Sequence, residues 1–492
     1  MLWYFYETYR NAMKLENIDV TDTIEKAKKL LAQEKRISPA FKAVIEILLI
    51  IVSLMVERLS KNSRNSSIPP SQDPNRAKTS QADKTNKKPG GQLGRVGKTL
   101  VPFETPDEII EVPVDRTKLP SGHIYKNVGF TKRQIVEVHL SRYVKEYRLE
   151  ILENEKGKRF TAEGSIGMNR PIQYGSSVKA MAVYLNIYQL IPYGRVEEYF
   201  TDQVQIPLSA GSLYNFNEEA FDLLKEFESI AQKKLQTSAF LHHDETGINV
   251  NGKGYWLHGA LNDEWTLFMP HKSRGKEAMD DMNILPWFKG IAIHDHWFPY
   301  FRYTECRHAL CNAHHLRELQ AVVEKYPNQT WALLIKALLL EINKAVHEAG
   351  GVLSAQVADG YRERYRKILE KGHEECPLPL PPSETQKKRG KTKKTKERNL
   401  LERLKNYETE ALRFMETDCV PFTNNPGEND IRMTKVHQKI SGCFKSFKGA
   451  QIFCRVRSYL LTCQKHGITA TDALNTLFSG NLPYFCSSDE LS

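Results

Sequence analysis

The chain has 492 residues, of which 40% are hydrophobic and 26% charged, and its formal net charge at pH 7 is +11. This length excludes a single hydrophobic core and predicts two to four domains, while the hydrophobic content is ample for globular folding.

The positive charge is concentrated in two segments of the chain. Residues 57–100 contain ten Lys or Arg against three Asp or Glu, and residues 387–398 contain eight against one. Such basic segments bind polyanions, nucleic acid above all, because their binding releases condensed counterions. The alternative interpretation is a pair of solvated linkers that keep the protein soluble.

Cysteine usage and hydropathy bear on the compartment. The eight cysteines are scattered without a C-x-x-C pair, and no signal peptide is recognisable, which predicts a reducing, cytoplasmic environment. The apolar run 45–56 is too short to span a bilayer, and Lys42 and Glu46 interrupt its extension. We therefore expect a helix that packs against partner helices and no membrane anchor.

The N-terminal third of the chain divides by composition. Residues 1–60 contain a run of helix formers and predict a helical self-association segment. Residues 61–100 are rich in Ser, Asn, Pro, Gly and Lys and predict a basic, disordered linker. Residues 101–165 alternate polar and apolar positions, as in EIIEVPV and QIVEVHL, and predict a small β-rich module.

Residues 166–236 carry helical patterns. Within them VEEYFTDQVQIPLSAGSLYNFNEEAFDLL has the order helix, Gly/Ser turn, helix. This order suits a helix-turn-helix that reads DNA, but an ordinary helical hairpin has the same pattern.

Strand patterns begin at residue 237. SAFLHHDETGINV, YWLHGAL and EWTLFMPH predict three antiparallel strands, and NGKG supplies a tight turn between the first two. A helical stretch, KEAMDDMNILPWF, and an apolar strand, GIAIHD, follow. This order predicts an α/β fold with a ribonuclease-H-like core.

Three carboxylates stand out within this pattern. Asp244 lies on the first predicted strand and Asp295 ends the fourth, so the two meet at one sheet edge if those strands are neighbours. In Asn425-Pro426-Gly427-Glu428, Asn425 is a predicted helix cap and Glu428 falls at the third helical position. Taken singly, Asp244 is a turn carboxylate and Glu428 a capping residue.

Together the three acids predict a catalytic site for two divalent ions. Phosphodiester chemistry uses two cations about 3.5–4 Å apart, and hard Mg²⁺ prefers carboxylate oxygens. Asp244 would bridge both ions, Asp295 would hold one and Glu428 the other. Strand alternation directs Glu245 to the opposite face of the sheet.

Helical spacing after Glu428 places Arg432, Lys435 and Lys439 on its face of the helix. Such a basic stripe suits a DNA backbone that crosses the site. A salt-bridged solvent face is the alternative.

Other metal-ligating or stacking residues give weaker signals. Cys311 and His314 are two ligand types at close spacing, but two ligands do not make a tetrahedral zinc site, so we interpret them as packing or positioning residues. Trp297 is either a core residue or a base-stacking residue, and the core is favoured. His243 and His294 could serve a zinc- or manganese-dependent hydrolase, although alternation directs them away from the acids.

Long blocks of the chain resemble one known family. They are, in order, KNSRNSSIPPS, GGQLGRVGK, QYGSSVKAMAVYLNIYQLIPYGRV, HHDETGINVNGKGYWLH, RGKEAMDDMNILPWF, HDHWFPYF, HALCNAHHLREL, PFTNNPGENDIRMTKVHQKISGCFKS and GAQIFCRVRSYL. They are similar to TnpC-type DDE transposases of the bacterial insertion-sequence family sixty-six.

The resemblance implies a ribonuclease-H-like catalytic domain whose acidic triad falls on Asp244, Asp295 and Glu428, at intervals of 51 and 133 residues. The long second interval implies a helical insertion with a basic loop. The resulting division has four parts: core 237–315, insertion 316–415, core 416–480 and tail 481–492. Cys311-x-x-His314 also resembles a pattern found after the second acid in several DDE groups.

The chain departs from the family in two places. Many relatives carry a zinc-finger-like module with paired cysteines, whereas 101–165 contains no cysteine, so zinc is not supported there. Thr423 stands where many relatives have Asp.

The resemblance implies a DNA transposase that uses two Mg²⁺ or Mn²⁺ ions. Such an enzyme binds the terminal inverted repeats of its element, nicks them and joins them to target DNA. It acts as a homodimer or higher oligomer in the bacterial cytoplasm, at the nucleoid, with small accessory proteins of the same element and no membrane. The alternatives are an inactive or domesticated protein that only binds DNA, and the His/Asp hydrolase.

Overall fold

The computed structural model describes residues 14–15, 18–34, 36–59, 61–62, 65–66, 73, 75, 100–163, 170–378 and 394–486. Most of the predicted linker 61–100, part of the basic loop and the end of the tail lie outside these residues.

Two helices form the described N-terminal part. A two-residue strand pair, β1 (Lys14–Leu15) and β2 (Ile18–Asp19), precedes α1 (Val20–Gln33), and α1 contacts α2 (Pro39–Leu59). The segment Pro39–Val56 is long and apolar enough to cross a membrane by length and composition alone, and none of it is buried. Within the described part of the chain α2 contacts α1 but leaves most of its large apolar side chains exposed, so its packing against further helices and its self-association stay predictions.

The predicted β-rich module is mostly irregular backbone. Among residues 100–163, strands occur only in the hairpin of β3 (Ile151–Glu153) and β4 (Arg159–Thr161). The alternating segments EIIEVPV and QIVEVHL form no strands, and their large apolar side chains are exposed. A strand needs a hydrogen-bonded neighbour and a core for its apolar face, and these segments have neither among the residues that the structure describes.

Four α-helices lie between the β3–β4 hairpin and the sheet in the described residues. They are α3 (Ser176–Val183), α4 (Tyr193–Tyr199), α5 (Ala210–Leu223) and α6 (Lys225–Gln236). The α4–α5 pair has the predicted helix-turn-helix order, but α5 buries Leu213, Phe216 and Phe221 and contains no Lys or Arg. A helix without basic residues is poorly suited to phosphate contacts, so the packing favours the helical-hairpin alternative, and DNA reading stays a prediction.

A five-stranded mixed sheet follows. Its strands are β5 (Phe240–Val250), β6 (Lys253–Leu261), β7 (Thr266–His271), β8 (Ile291–His294) and β9 (Arg307–Leu310), in the spatial order β7-β6-β5-β8-β9. The first three pair antiparallel, whereas β8 runs parallel to both β5 and β9. Asn251 and Gly252 have φ of +48° and +81° in the β5–β6 connection, as the tight turn predicted from NGKG requires. A short helix, α7 (Lys276–Asp281), lies between β7 and β8.

Helices cover both faces of this sheet. Those after β9 are α8 (Asn312–Lys325), α9 (Trp331–Glu348), α10 (Ala355–Glu375), α11 (Lys396–Asn406), α12 (Glu408–Leu412), α13 (Asn425–Ser441), α14 (Phe447–Lys465) and α15 (Ala470–Phe478). Ile291 and Ile293 belong to a core shared with α8–α11, whereas Ala292 belongs to a second core shared with α14 and α15. This alternation confirms a mixed α/β architecture in which the chain leaves the sheet after β9 and returns to it with α13.

Candidate active site

Asp244 and Asp295 lie at the same level of neighbouring strands. In the parallel pairing of β5 with β8, His242 is opposite Ile293. Asp244 lies two residues after His242, within β5, and Asp295 lies two residues after Ile293, just beyond the end of β8. β5 and β8 are therefore neighbouring strands, as the sequence predicts, and Asp244 and Asp295 lie at the same level along them.

Backbone amides hold both carboxylates. The N–H of Glu245 donates to Oδ1 of Asp244 at 2.9 Å, and the N–H of Trp297 donates to Oδ1 of Asp295 at 2.9 Å. Each bond involves the Oδ1 oxygen, and Oδ2 of Asp295 lies 3.9 Å from Arg274 Nη2.

Asp244 lies in a strongly acidic environment. Burial raises its pKa to about 8, and the negative charges of Glu245, Glu428 and Asp295 contribute further. No cationic side chain pairs with Asp244 among the residues the structure describes. The fold therefore brings the three predicted acids into one electrostatic environment with a surplus of negative charge.

Asn424 ties α13 to the sheet. Its Oδ1 accepts a hydrogen bond from His242 Nδ1 at 2.7 Å, and its Nδ2 donates to the carbonyl of His243 at 2.8 Å. Its backbone N–H donates to Cys311 Sγ at 3.1 Å. Sequence reasoning chose the exposed Asn425 as the supporting residue, but the helix begins one residue earlier than predicted, and Asn424 is the buried residue that anchors it.

We expect Asn424→Ala to lower the free energy of unfolding by roughly 2–3 kcal/mol, because two side-chain hydrogen bonds are lost and buried partners are left unsatisfied. Asn425→Ala, at the exposed neighbouring position, should change it by less than about 0.5 kcal/mol. Urea denaturation of the two variants measures the difference, and equal effects would contradict the anchoring role of Asn424.

The predicted capping box does not form, because the side chain of Glu428 is directed elsewhere. Its Oε1 lies 3.9 Å from Cys311 Sγ, 3.8 Å from His314 Nδ1 and 3.7 Å from Arg317 Nη2. Cys311 precedes α8, and His314 and Arg317 lie on its first turns. Cys311 and His314, expected to be packing or positioning residues, thus contact the third acid directly.

Cys311, His314 and Glu428 form a group of potential metal ligands. Their ligand atoms all lie within 4.8 Å of one another, and no other such group occurs in the described part of the chain. The sequence supplied only two ligands at this position. The third, Glu428, is 114 residues beyond His314, too far for local spacing to indicate the group.

Glu245 is buried and paired, and the opposite face predicted for it by strand alternation stays a prediction. Arg274 donates to its Oε1 through Nε at 2.8 Å and Nη2 at 2.6 Å, and Tyr300 donates its hydroxyl to Oε2 at 2.6 Å. Only 2% of the Glu245 side chain is exposed. The signal that could have revealed Arg274 is this buried acid, which requires a cation nearby.

Arg274 is held between two tryptophans at the edge of the site. Its guanidinium lies 4.0 Å from the ring centroid of Trp297 and 4.9 Å from that of Trp256, and its Nη2 lies 3.9 Å from Oδ2 of Asp295. Trp297 also packs against the core, as expected, so it serves both the core and the arginine.

Of the two histidines of the alternative hydrolase, His294 has hydrogen-bond partners, whereas Nε2 of His243 is buried without one. His294 Nε2 pairs with His308 Nδ1 at 3.1 Å, and its ring stacks on Tyr300 at 4.4 Å. Burial lowers the pKa of His243 to about 3. Neither His243 nor His294 belongs to the group of potential metal ligands, so the arrangement does not support a His/Asp hydrolase.

The three basic residues of the predicted stripe are exposed along α13. They are Arg432, Lys435 and Lys439. Lys435 also donates to the carbonyl of Gly247 on β5, which gives it a structural contact. Their contact with DNA stays a prediction.

Two protein families match this chain. The Transposase IS66 family matches residues 171–452, more than half of the chain and a range that includes all three acids. A family of unknown function (DUF6444) matches residues 18–100, which contain α1, α2 and the predicted basic linker. A search of curated proteins found no match.

Proposed function

The chain belongs to the IS66 family of transposases, and we propose that it nicks and rejoins DNA through Asp244, Asp295 and Glu428. The observation that carries this proposal is geometric: Asp244 and Asp295 lie at the same level of the paired strands β5 and β8, and α13, which carries Glu428, packs against β5.

The sheet supports a ribonuclease-H-like core. Three antiparallel strands are followed by a fourth that pairs parallel to the first and a fifth beside it, the arrangement expected for this core. The helix with the third acid, α13, packs against β5, the strand that carries Asp244. The helical insertion then corresponds to α8–α12, between the two parts of the core.

The residues present fit a pair of hard divalent cations. Asp244 offers a carboxylate without a cationic partner among the described residues, in a surplus of negative charge that a cation would relieve. Asp295 and Glu428 supply further oxygen donors, the ligand type that Mg²⁺ and Mn²⁺ prefer. When bound, such ions activate the attacking oxygen and stabilise the leaving oxygen of the phosphodiester.

The surrounding residues orient these acids and offer charge to the substrate. The amides of Glu245 and Trp297 fix one oxygen of each aspartate. Arg274 and Arg317 each lie within 4 Å of one acid, near Asp295 and Glu428 respectively, and so place positive charge on two sides of the site. Cations in these positions suit a phosphate backbone that crosses the acids.

A cleavage and joining assay tests this proposal. The purified protein is incubated with DNA that carries the ends of its element, in Mg²⁺ or Mn²⁺, and nicked ends and joined products are measured. Both products should depend on the metal and disappear with EDTA. A folded protein that binds these ends but never cuts them would favour the binding-only alternative.

The exposed stripe on α13 gives a separate prediction for DNA binding. Arg432→Gln should weaken binding to a similar degree for every DNA sequence, and it should lower the salt slope of log K by about one, because one phosphate contact is lost. Lys344→Gln, on α9 with 77% of its side chain exposed, is the matched control and should change neither quantity. Affinities from 50 to 200 mM salt measure the slope, and an unchanged slope for Arg432→Gln would remove it from the interface.

Action on two DNA ends requires at least two catalytic sites, so we propose a dimer or higher oligomer. Its interface and the accessory proteins of the element stay predictions; α2, with its exposed apolar surface, is the described segment best suited to self-association.

A further inference from the structure

The group formed by Cys311, His314 and Glu428 combines sulfur, nitrogen and oxygen donors. Two of them come from the start of α8 and the third from α13. His314 Nδ1 is buried and has no hydrogen-bond partner, although it lies 3.8 Å from Glu428 Oε1. A buried imidazole nitrogen beside a thiol and a carboxylate requires an explanation, since buried polar atoms are normally satisfied.

We propose that these three residues form a site for Zn²⁺, and that Zn²⁺ there competes with the hard catalytic cations for Glu428. The binding of Zn²⁺ rests on the geometry of the group alone. The competition rests on the proposed function, because it assigns Glu428 to catalysis.

The distances fit a tetrahedral zinc site. With Zn–S near 2.3 Å and Zn–N and Zn–O near 2.1 Å, tetrahedral angles place sulfur and oxygen about 3.6 Å apart and nitrogen and oxygen about 3.4 Å apart. The observed separations from Glu428 Oε1 are 3.9 Å to Cys311 Sγ and 3.8 Å to His314 Nδ1. Contractions of a few tenths of an ångström bring these two pairs to the tetrahedral values. The ligand atoms of Cys311 and His314 lie within 4.8 Å of each other and must approach to about 3.6 Å, and water takes the fourth position.

The backbone prepares Cys311 for this role. The N–H of Asn424 donates to Sγ at 3.1 Å and so holds the sulfur beside Glu428. Zinc binds this sulfur as the thiolate, and the thiol proton passes to solvent. Cys311 and His314 are three residues apart at the start of a helix, so their side chains share one side.

Arg317 is the competing cation. Its Nη2 lies 3.7 Å from Glu428 Oε1, and 27% of its side chain is exposed. Because this arginine is long and borders solvent, it can leave Glu428 at little cost when a metal arrives.

The donor set distinguishes Zn²⁺ from Mg²⁺. Thiolate and imidazole suit Zn²⁺, whereas Mg²⁺ prefers oxygen ligands and retains its waters. Zn²⁺ would therefore occupy Glu428 together with Cys311 and His314 and withdraw it from the oxygen-only site. The expected consequence is reversible inhibition of Mg²⁺-dependent cleavage by Zn²⁺.

Cobalt absorption tests the site without DNA or activity. Co²⁺ is added to the full chain, and a thiolate-to-cobalt charge-transfer band, displaced by one equivalent of Zn²⁺, is the expected result. Cys311→Ser should abolish this band, and His314→Asn should weaken Zn²⁺ binding by about tenfold or more. Cys443→Ser, at a partly exposed free cysteine outside the group, is the control and should bind as the natural chain does.

Either of two results would overturn the site: no charge-transfer band in the natural chain, or a band that Cys311→Ser retains. Circular dichroism establishes whether each variant is folded. If Cys311→Ser does not fold, His314→Asn provides the test. The competition is measured as the ratio of cleavage rates with and without Zn²⁺. That ratio should be lower for the natural chain than for His314→Asn, and equal ratios would refute competition while leaving the spectroscopic result intact. A chain that binds Co²⁺ through Cys311 but never cleaves DNA would refute only the proposed function.

Discussion

Asp244→Asn is expected to lower DNA cleavage by about 10²–10³-fold or more, the scale of removing one group that stabilises developing charge. The same substitution is expected to stabilise the fold. The carboxylate is partly buried among Glu245, Glu428 and Asp295, and the burial and these charges together raise its pKa to about 8. An asparagine keeps the shape of the side chain without the charge. A residue that served only the fold would show the opposite effect on stability.

The sign of the stability change follows from the direction of the pKa shift. In the unfolded chain Asp244 deprotonates near its ordinary value of 3.8, whereas in the folded chain it does so near 8. The unfolded state therefore binds fewer protons between these values, and the stability of the metal-free protein falls as pH rises through this window. The gain in Asp244→Asn at neutral pH is on the order of a few kcal/mol, reduced by the partial exposure of the site.

Urea denaturation of chelator-treated protein at pH 5, 7 and 8.5 measures the stability change. Cleavage by the same variants is measured separately, in the presence of Mg²⁺ or Mn²⁺. Asp263→Asn, at an exposed position in the β6–β7 turn, is the matched control and should alter neither property strongly. Cleavage by Asp244→Asn at the rate of the natural chain would remove Asp244 from the site. A loss of stability in Asp244→Asn would show that the burial of its charged carboxylate does not dominate the contribution of Asp244 to stability.

The second large effect is expected at Arg274. Arg274→Met leaves the carboxylate of Glu245 buried without its cation and should lower the free energy of unfolding by about 3–5 kcal/mol. Combining it with Glu245→Gln removes that unpaired charge, so the double variant should regain much of the loss. Guanidinium denaturation of the two single variants and the double variant gives the coupling energy.

Arg364→Met is the control for this cycle. Arg364 pairs with Glu341 on the surface, where their side chains are 52% and 47% exposed, so its loss should cost no more than about 1 kcal/mol. If Arg274→Met costs as little, the buried pair does not stabilise the fold. If the double variant is no better than Arg274→Met, the cost comes from lost stacking on Trp256 and Trp297.

Local patterns in the sequence predicted four of the five strands of the sheet but not β9 (Arg307–Leu310). Alternation marked β5, β6 and β7, and the Asn and Gly of the turn fixed their pairing. An acid at the end of an apolar strand marked Asp295. Strand alternation, turn residues and an acid after an apolar strand all involve residues close together in the chain, so the sequence pattern alone reveals them.

The remaining parts of the site depend on contacts between distant segments. Asn424 bonds to His242 across 182 residues, and Cys311 contacts Glu428 across 117. Spacing does not reveal such contacts, so Asn424 was overlooked in favour of Asn425. Alternation alone also did not lead to strands at EIIEVPV and QIVEVHL, because the pattern of a strand does not ensure a neighbouring strand to pair with.

The separation of the third acid from the second has a consequence for synthesis. Glu428 follows Asp295 by 133 residues, with α8–α12 between them. At roughly 5–20 residues per second, the ribosome adds this stretch in about 7–27 s, and folding proceeds from the N-terminus meanwhile. During that interval the nascent chain carries both aspartates but not the glutamate. Under the proposed function, we expect the growing chain to be inert toward DNA until α13 has emerged.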